Sequence, residues 1–304
     1  MSPHPPFTFF ECLPSRSAQA LPIELRVRTT QIEEVLLLRL LTGTLDIRSS
    51  ATGQLTKART NFSRLDFSLN TRLSAKMILD PFDSEGIKRA NVLRYYSSCV
   101  TYGNRSLWKR FFLELCNYVC QRNANAHSLA FVHAYRSLEL ISYCFPLVFA
   151  AKSRSYEKTY VDLKRFFSGS DKELSFFIKF VNNHLFGDNL ILDQHLPVAI
   201  NDSEPWLREQ YFGLLKKRCD ENNGIPLISA SPFTEIVITR RGLLKLTIDI
   251  RNRYFHLLTG DHNENIGSDE LFEADRFFSL INDKVINWLA VIYFEILRSS
   301  VESS

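Results

Sequence analysis

The chain has 304 residues, of which 45% are hydrophobic and 23% are charged, and its formal net charge is +4. These proportions match those of soluble globular proteins and exclude a disordered chain, a collagen-like fibre and a disulfide-stapled miniprotein. The 24 Phe, 11 Tyr and 3 Trp suit a packed helical core, whereas only 11 Gly and 11 Pro argue against a turn-rich all-β protein.

Residues 1–86 are expected to form a small region of mixed helix and strand. The apolar run at 31–41 predicts a short helix, and the Thr, Ser and Gly residues of 42–57 predict turns. Alternating apolar residues in 64–79 are typical of a half-buried strand. The stretch 80–86, where Pro and Gly interrupt charged residues, is expected to be a linker.

The second region, 87–304, is expected to be helical, so the predicted fold class is mainly α. The stretch between Gly187 and Pro205 is expected to be a loop, and Ser268 is expected to be the N-cap of the last helix. Apolar residues at helical spacing predict helices at 107–119, 129–151 (kinked at Pro146), 160–167, 172–185, 206–219, 242–258 and 268–298.

Basic residues are concentrated in one part of the chain. Residues 81–170 contain 13 basic and 6 acidic residues, whereas 171–230 and 231–304 each carry a net charge of −3. Such a basic region favours a polyanionic partner, although a solvated surface explains the same numbers. Lys152, Arg154 and Lys158 alternate with Tyr156 and Tyr160, which is a pattern suited to RNA phosphates and bases.

The six Cys residues lack paired metal-ligand spacing, so we expect reduced thiols and no metal or other cofactor. The N-terminus lacks the basic and apolar segments of a secretory signal. The apolar runs at 140–151 and 285–297 are too short or too interrupted to span a bilayer. The sequence therefore predicts a soluble, cytoplasmic protein.

One polar segment stands out on an otherwise apolar helix, since 251–256 reads Arg-Asn-Arg-Tyr-Phe-His. On an ideal helix Asn252 and His256 share a face about 6 Å apart, while Arg251 lies about 140° round from His256 and must reach towards it. Neutral His accepts a proton near pH 7, and Arg grips a phosphate with two donors. A base and a phosphate-binding cation are what RNA cleavage requires when the 2′-OH of the RNA itself attacks the adjacent phosphorus.

An Arg followed after four to six residues by His, often with Asn directly after the Arg, resembles the signature of the HEPN superfamily (higher eukaryotes and prokaryotes nucleotide-binding). The resemblance covers roughly 104–300 and implies a helical bundle over 87–304. It further implies a homodimer with a composite site and an endoribonuclease of phage-defence or toxin systems, held in check by an inhibitor or sensor protein. Carried over to this chain, Arg251 and His256 would be catalytic and Asn252 supporting. Arg253, next to them in the sequence, is expected to bind RNA.

Two alternatives stay open. Arg122 and His127 show the same spacing, including the Asn after the Arg, in a polar connection between two helices. The residues 251–256 also suit an ordinary helix end, where basic side chains favour the helix dipole, in a non-catalytic module that dimerises or binds nucleotides or partners. On 129–151, Tyr135, Arg136 and Glu139 are spaced to interact, and Glu139 or Tyr143 is placed to line the site if that helix packs on 242–258.

Overall fold

The computed structural model describes residues 5–28, 32–98, 105–143, 150, 155–168, 173–187, 189–219, 224–255 and 265–302. Helices dominate, as the sequence predicts. The helices are α1 (Ser15–Ala20), α2 (Glu33–Leu41), α3 (Lys76–Asp83), α4 (Arg89–Ser98), α5 (Arg105–Asn123), α6 (His127–Ser142), α7 (Tyr156–Ser168), α8 (Glu173–Phe180), α9 (Pro205–Arg218), α10 (Arg240–Phe255) and α11 (Ala274–Glu302). The strands are β1 (Phe7–Glu11), β2 (Leu45–Ser49), β3 (Leu55–Ala58), β4 (Thr60–Asn61), β5 (Ser68–Leu69), β6 (His195–Ala199), β7 (Leu227–Ser231) and β8 (Glu235–Thr239).

The chain folds into two compact units. Unit 1 combines 1–124 with 286–304, and unit 2 is 125–285. The boundary predicted from the sequence lies at 86, but α3 and α4, on either side of that point, both belong to unit 1. The C-terminal segment joins unit 1 although it is remote in sequence, because its apolar side chains pack there: Tyr293 contacts Trp108, and Phe294 contacts Phe82.

Unit 1 contains a three-stranded antiparallel sheet in the order β1-β2-β3. The prediction of turns over 42–57 is wrong, because β2 and β3 occupy most of that stretch. Leu45 and Ile47 of β2 are buried while Arg48 is exposed, so the strand alternates as a sheet with one solvated face does. Gly53, with a positive φ of 69°, lies in the turn that joins β2 to β3. In this part of 42–57 the prediction from Thr, Ser and Gly is correct.

Two other predictions for unit 1 are also corrected. The linker predicted at 80–86 is largely helix, since α3 runs to Asp83 with Pro81 and Phe82 buried. The alternation seen in 64–79 produces only the two-residue strand β5, which pairs with β4. The rest of the stretch ends in α3, which buries Ile78 and Leu79 against the core. The helix predicted at 31–41 is confirmed by α2.

Unit 2 is not purely helical. Its described part contains a second antiparallel sheet in the order β6-β8-β7. The predicted loop between 187 and 205 is therefore wrong over β6, which alternates buried Leu196 and Val198 with exposed residues. This strand is five residues long and carries Pro197, so its periodic signal was too short to detect.

Within the described residues, each helix predicted from 107 onward is matched by a helix in the structure, although the ends are shifted. The main correction concerns α11, which begins at Ala274, so Ser268 is not its N-cap. Residues 267–271 form turns instead, because the backbone N–H groups of Glu270 and Leu271 both donate to the carbonyl of Gly267. The C-terminal parts of two predicted helices, including Pro146, lie outside the described residues.

The 29-residue helix α11 is long and apolar enough to cross a membrane by length and composition. However, 78% of its most apolar window is buried inside the protein, as expected for a core helix of a soluble protein. Four of the six cysteines fall in the described residues, and all four are free thiols, as expected from their spacing: Cys12, Cys116, Cys120 and Cys219.

Candidate functional site

The residues singled out on 242–258 lie in the last turns of α10, which packs against α6 within unit 2. Tyr135 and Glu139 of α6 are four residues apart, so they share one helix face. That face meets Arg251 of α10, which is in turn hydrogen-bonded to Asn252. The fold thus brings together four polar side chains from two helices, which we call the Arg251 cluster.

The guanidinium of Arg251 is the centre of this cluster. Its Cζ atom lies 4.6 Å from the centroid of the Tyr135 ring, which is cation–π distance. Nη1 donates a hydrogen bond of 3.0 Å to Oδ1 of Asn252, and Nη2 lies 3.9 Å from Oε1 of Glu139. The Arg251 side chain is 28% exposed, so the ring and the amide orient a cation that solvent still reaches.

Among the described residues, most of the hydrogen-bond donors of Arg251 have no acceptor. A guanidinium carries five N–H donors. Within the described part of the chain, Asn252 is the one acceptor that Arg251 bonds, since the contact with Glu139 is too long for a hydrogen bond. The remaining donors suit an oxyanion such as a phosphate, two of whose oxygens the planar guanidinium binds through two parallel hydrogen bonds.

Tyr135 contributes a neutral ring to the cluster. Burial raises the pKa of its phenol to about 12, and the charge of Glu139 adds to this effect while that of Arg251 opposes it. The phenol therefore stays protonated throughout the physiological range. A neutral ring keeps its face electron-rich for Arg251 and adds no negative charge that would repel a phosphate.

Aromatic packing fixes the end of α10. Phe255 stacks parallel to Phe131 of α6 with ring centroids 6.1 Å apart, and Tyr254 meets Phe278 of α11 edge-on at 5.2 Å. These rings hold the backbone directly before His256. The proposed base, His256, itself lies outside the described residues.

The predicted RNA-binding residues have different environments. Arg253 points to Asp249, whose Oδ1 accepts its Nε–H at 2.8 Å, so much of its charge is neutralised. Lys158 is exposed on α7 and is available to a polyanion. Lys152 and Arg154 lie outside the described residues.

The second Arg–His pair is divided between the two units. Arg122 ends α5 in unit 1, where its Nη1 donates to Oγ1 of Thr60 at 3.3 Å. His127 begins α6 in unit 2, and its carbonyl accepts a hydrogen bond from Asn282 at 2.8 Å. Each residue is thus tied into its own unit.

The sequence singled out Arg251 and Asn252 and placed Glu139 or Tyr143 beside them. It predicted contacts of Tyr135 only within its own helix, with Arg136 and Glu139. The structure brings Tyr135 and Glu139 to Arg251 and leaves Tyr143 exposed at the end of α6. The stacking of Arg251 on Tyr135 was missed, because sequence spacing reports faces within one helix and gives no register between two helices. Among the described residues, no group of three or more His, Cys, Asp and Glu side chains is placed to hold a metal ion.

Comparison of the chain with protein-family models, with curated proteins and with solved structures finds no significant match. Any functional conclusion therefore depends on the residues and their geometry.

Proposed function

We propose that this protein is a metal-independent endoribonuclease that acts in the cytoplasm, with Arg251 and His256 as its catalytic residues and Asn252 as the residue that orients Arg251. The observation that carries the proposal is the state of Arg251. Its guanidinium is stacked on Tyr135, partly exposed, and bonded through only one of its five donors within the described chain. A guanidinium held in this way is pre-oriented for a phosphate.

The chemistry needs a base, a phosphate-binding cation and the RNA itself. His256 takes the proton of a ribose 2′-OH, and the resulting oxygen attacks the adjacent phosphorus. The bond from phosphorus to the 5′-oxygen breaks, and that oxygen takes up a proton from water. The products are a 2′,3′-cyclic phosphate and a 5′-hydroxyl end. Arg251 stabilises the charge that gathers on the phosphoryl oxygens, and Asn252 orients Arg251 through its 3.0 Å hydrogen bond.

The setting of the site in the cell follows from the HEPN resemblance. That resemblance supports a homodimer in which two copies of the motif form one composite site. It also supports a role in phage defence or as a toxin, with an inhibitor or sensor protein that keeps the ribonuclease silent. Exposed Lys158 supports RNA binding by its charge and accessibility.

A second function, a non-catalytic binding module, is favoured by a different observation. Both arginines at the end of α10 have carboxylate neighbours, Asp249 for Arg253 and Glu139 for Arg251. Phe255 is also partly exposed while it stacks on Phe131, as a ring at a protein interface would be. In that case the polar segment is a helix end that stabilises the bundle, and replacing Arg251 or His256 by Ala leaves the binding activity of the protein unchanged.

The decisive experiment is cleavage of total RNA by the purified protein in excess EDTA. We expect wild-type cleavage to survive chelation and to yield 2′,3′-cyclic phosphate ends. His256→Ala should abolish it, and Arg251→Ala should reduce the rate about 10²- to 10³-fold, as the loss of one group that stabilises a transition state does. Arg251→Lys should recover only part of the rate, since an ammonium cannot form the two-pronged contact.

Arg241→Ala is the matched control, because Arg241 lies on the same helix in an exposed ion pair with Asp193. It should cleave at the wild-type rate. His127→Ala separates the two motifs: loss of cleavage in this variant alone would move the site to the earlier copy. Equal cleavage by all variants would refute the proposed chemistry, and a wild-type protein that binds RNA without cutting it would favour the binding module.

A further inference from the structure

Two aromatic side chains that are not part of the Arg251 cluster form an exposed pair on unit 2. Trp206, in the first turn of α9, is 52% exposed, and Phe272, just before α11, is 65% exposed. Their rings meet edge to face with centroids 6.3 Å apart. Rings of this size are seldom left in water, and exposed aromatic pairs mark interaction surfaces. We call this pair the Trp206–Phe272 platform.

The platform rests on two segments that are tied to each other by polar contacts. Nη2 of Arg276, on α11, donates to Oδ1 of Asp202 at 2.7 Å and contacts the hydroxyl of Ser203 at 3.2 Å. The hydroxyl of Tyr211, on α9, donates to the backbone carbonyl of Glu273 at 3.0 Å. These bonds fix the distance between the two rings, so that a partner does not have to order them on binding.

Buried neighbours anchor each ring from below. Leu207 follows Trp206 and is fully buried, and Leu271 precedes Phe272 and is 3% exposed. Each segment therefore uses one apolar residue for the core while the adjacent ring faces water. The exposure of the two rings is a consequence of this fixed backbone and not of a loose segment.

The surroundings of the platform are strongly acidic. The segments 201–211 and 267–276 contain seven acidic residues and two basic ones, in a chain whose net charge is +4. Both arginines are used locally, since Arg276 pairs with Asp202 and Arg208 donates to the carbonyl of Asp202. Glu204, Glu209, Asp269 and Glu273 are exposed. These four carboxylates form no ion pair within the described part of the chain.

We propose that the Trp206–Phe272 platform is the docking site for a basic segment of a partner protein, and in particular for an arginine side chain. A guanidinium stacks on the face of an indole ring, while carboxylates around it pair with the charges that follow along the segment. An acidic partner or a nucleic acid is repelled by the same carboxylates. The proposal is independent of RNA cleavage, because none of these residues belongs to the Arg251 cluster.

The test measures binding of a dye-labelled octa-arginine peptide to the full-length protein by anisotropy at low ionic strength. Saturable binding is expected, with octa-lysine weaker because an ammonium does not stack. Trp206→Ala should weaken octa-arginine binding about tenfold, the loss of one cation–π contact in a partly desolvated site. Glu209→Gln combined with Glu273→Gln should weaken it several-fold and reduce its salt dependence.

Control positions exist on α7, where Tyr156 is an even more exposed ring and Glu157 is an exposed acid. Tyr156→Ala and Glu157→Gln should bind as the wild type does. Phe272→Ser serves as a second platform variant if the thermal melting of Trp206→Ala shows a folding defect. The proposal is overturned if wild type fails to bind, if the platform and control variants bind alike, or if single-stranded RNA binds with the same dependence on Trp206.

Discussion

Replacement of Arg39 by Met tests how unit 1 is held together. Arg39 is fully buried, and its guanidinium makes five hydrogen bonds. Two go to the carboxylate of Glu11 on β1, one of them at 3.0 Å, and a third of 3.2 Å goes to the carbonyl of Leu25. The others go to Oγ1 and the carbonyl of Thr44 at 2.9 and 2.8 Å. One side chain thus connects α2 to three other segments, at Glu11, Leu25 and Thr44.

The magnitude follows from what the substitution leaves behind. Met fills much of the volume of Arg39 but leaves Glu11 without its countercharge and two buried carbonyls without a donor. Breaking a buried ion pair costs about 3–5 kcal/mol. Because the side chain of Glu11 is 27% exposed, water solvates part of its unpaired carboxylate. We therefore expect Arg39→Met to lower the free energy of unfolding by about 3 kcal/mol. The control is Arg64→Met, whose exposed pair with Asp66 should contribute less than about 1 kcal/mol.

Urea denaturation followed by Trp fluorescence measures these costs. In a Trp206→Phe background the two remaining Trp residues, Trp108 and Trp288, both lie in unit 1, so the signal reports this unit alone. A cost for Arg39→Met no larger than that of Arg64→Met would refute the reasoning.

The pH dependence of the stability of unit 1 tests the same ion pair, because the direction of the change with pH is defined. Burial alone would raise the pKa of Glu11, but the hydrogen bonds and charge of Arg39 outweigh it and lower that pKa below its usual value. In acid the unfolded state therefore binds more protons than the folded state does. The stabilisation that the ion pair gives to unit 1 is fully present above the pKa of Glu11 in the unfolded state, and it is lost as the pH falls through the pKa of Glu11 in the folded state. The difference in free energy of unfolding between the wild type and Arg39→Met should therefore become smaller in acid.

Three further substitutions have defined outcomes. Gly43→Ala should cost about 3 kcal/mol or more in urea denaturation, because φ is +68° and the new Cβ would lie 2.7 Å from the carbonyl oxygen of Thr60. Glu34→Gln should stabilise the protein by about 1 kcal/mol at pH 8 and less towards pH 4, since burial raises the pKa of this carboxyl and the folded state loses stability as the pH rises. Tyr135→Leu should lower kcat for RNA cleavage about tenfold by releasing Arg251.

Each of these predictions has a control and a contradicting result. Gly53 also has a positive φ, of 69°, but a Cβ added there would contact nothing within 4 Å, so Gly53→Ala measures the backbone strain alone. An equal loss of stability at both glycines would contradict the steric argument. For Glu34→Gln, a stability difference independent of pH would show that the carboxyl does not titrate as inferred. Tyr135→Phe retains the ring and should retain most of the activity, and a defect equal to that of Tyr135→Leu would remove the role assigned to stacking.

Much of the helical architecture was predictable because helix formation is local. The apolar runs over α5, α9 and α10 repeat at the spacing of one helix face, so a window of sequence contains the whole signal. Arg251 and Asn252 could be singled out in the same way, as polar residues at the end of an apolar helix. The free thiols also followed from spacing alone.

The strands were predicted poorly because their partners are distant in sequence. β2 is flanked by turn-forming residues, and its pairing with β1 joins segments about forty residues apart, as Ser49 and Phe7 do. β6 pairs with β8 across the whole of α9. Such strands are stabilised by cross-strand contacts and burial, which no short window of sequence contains.

The sequence by itself determined which residues form helices and which polar residues interrupt their apolar faces, because both depend on neighbours three or four positions away. Only the tertiary structure decided that Tyr135 lies under Arg251, that Trp206 meets Phe272, and that the end of α11 joins unit 1. Each of these contacts joins segments far apart in the chain. Their geometry depends on the packing of whole elements, and that packing is settled by the burial of many side chains at once.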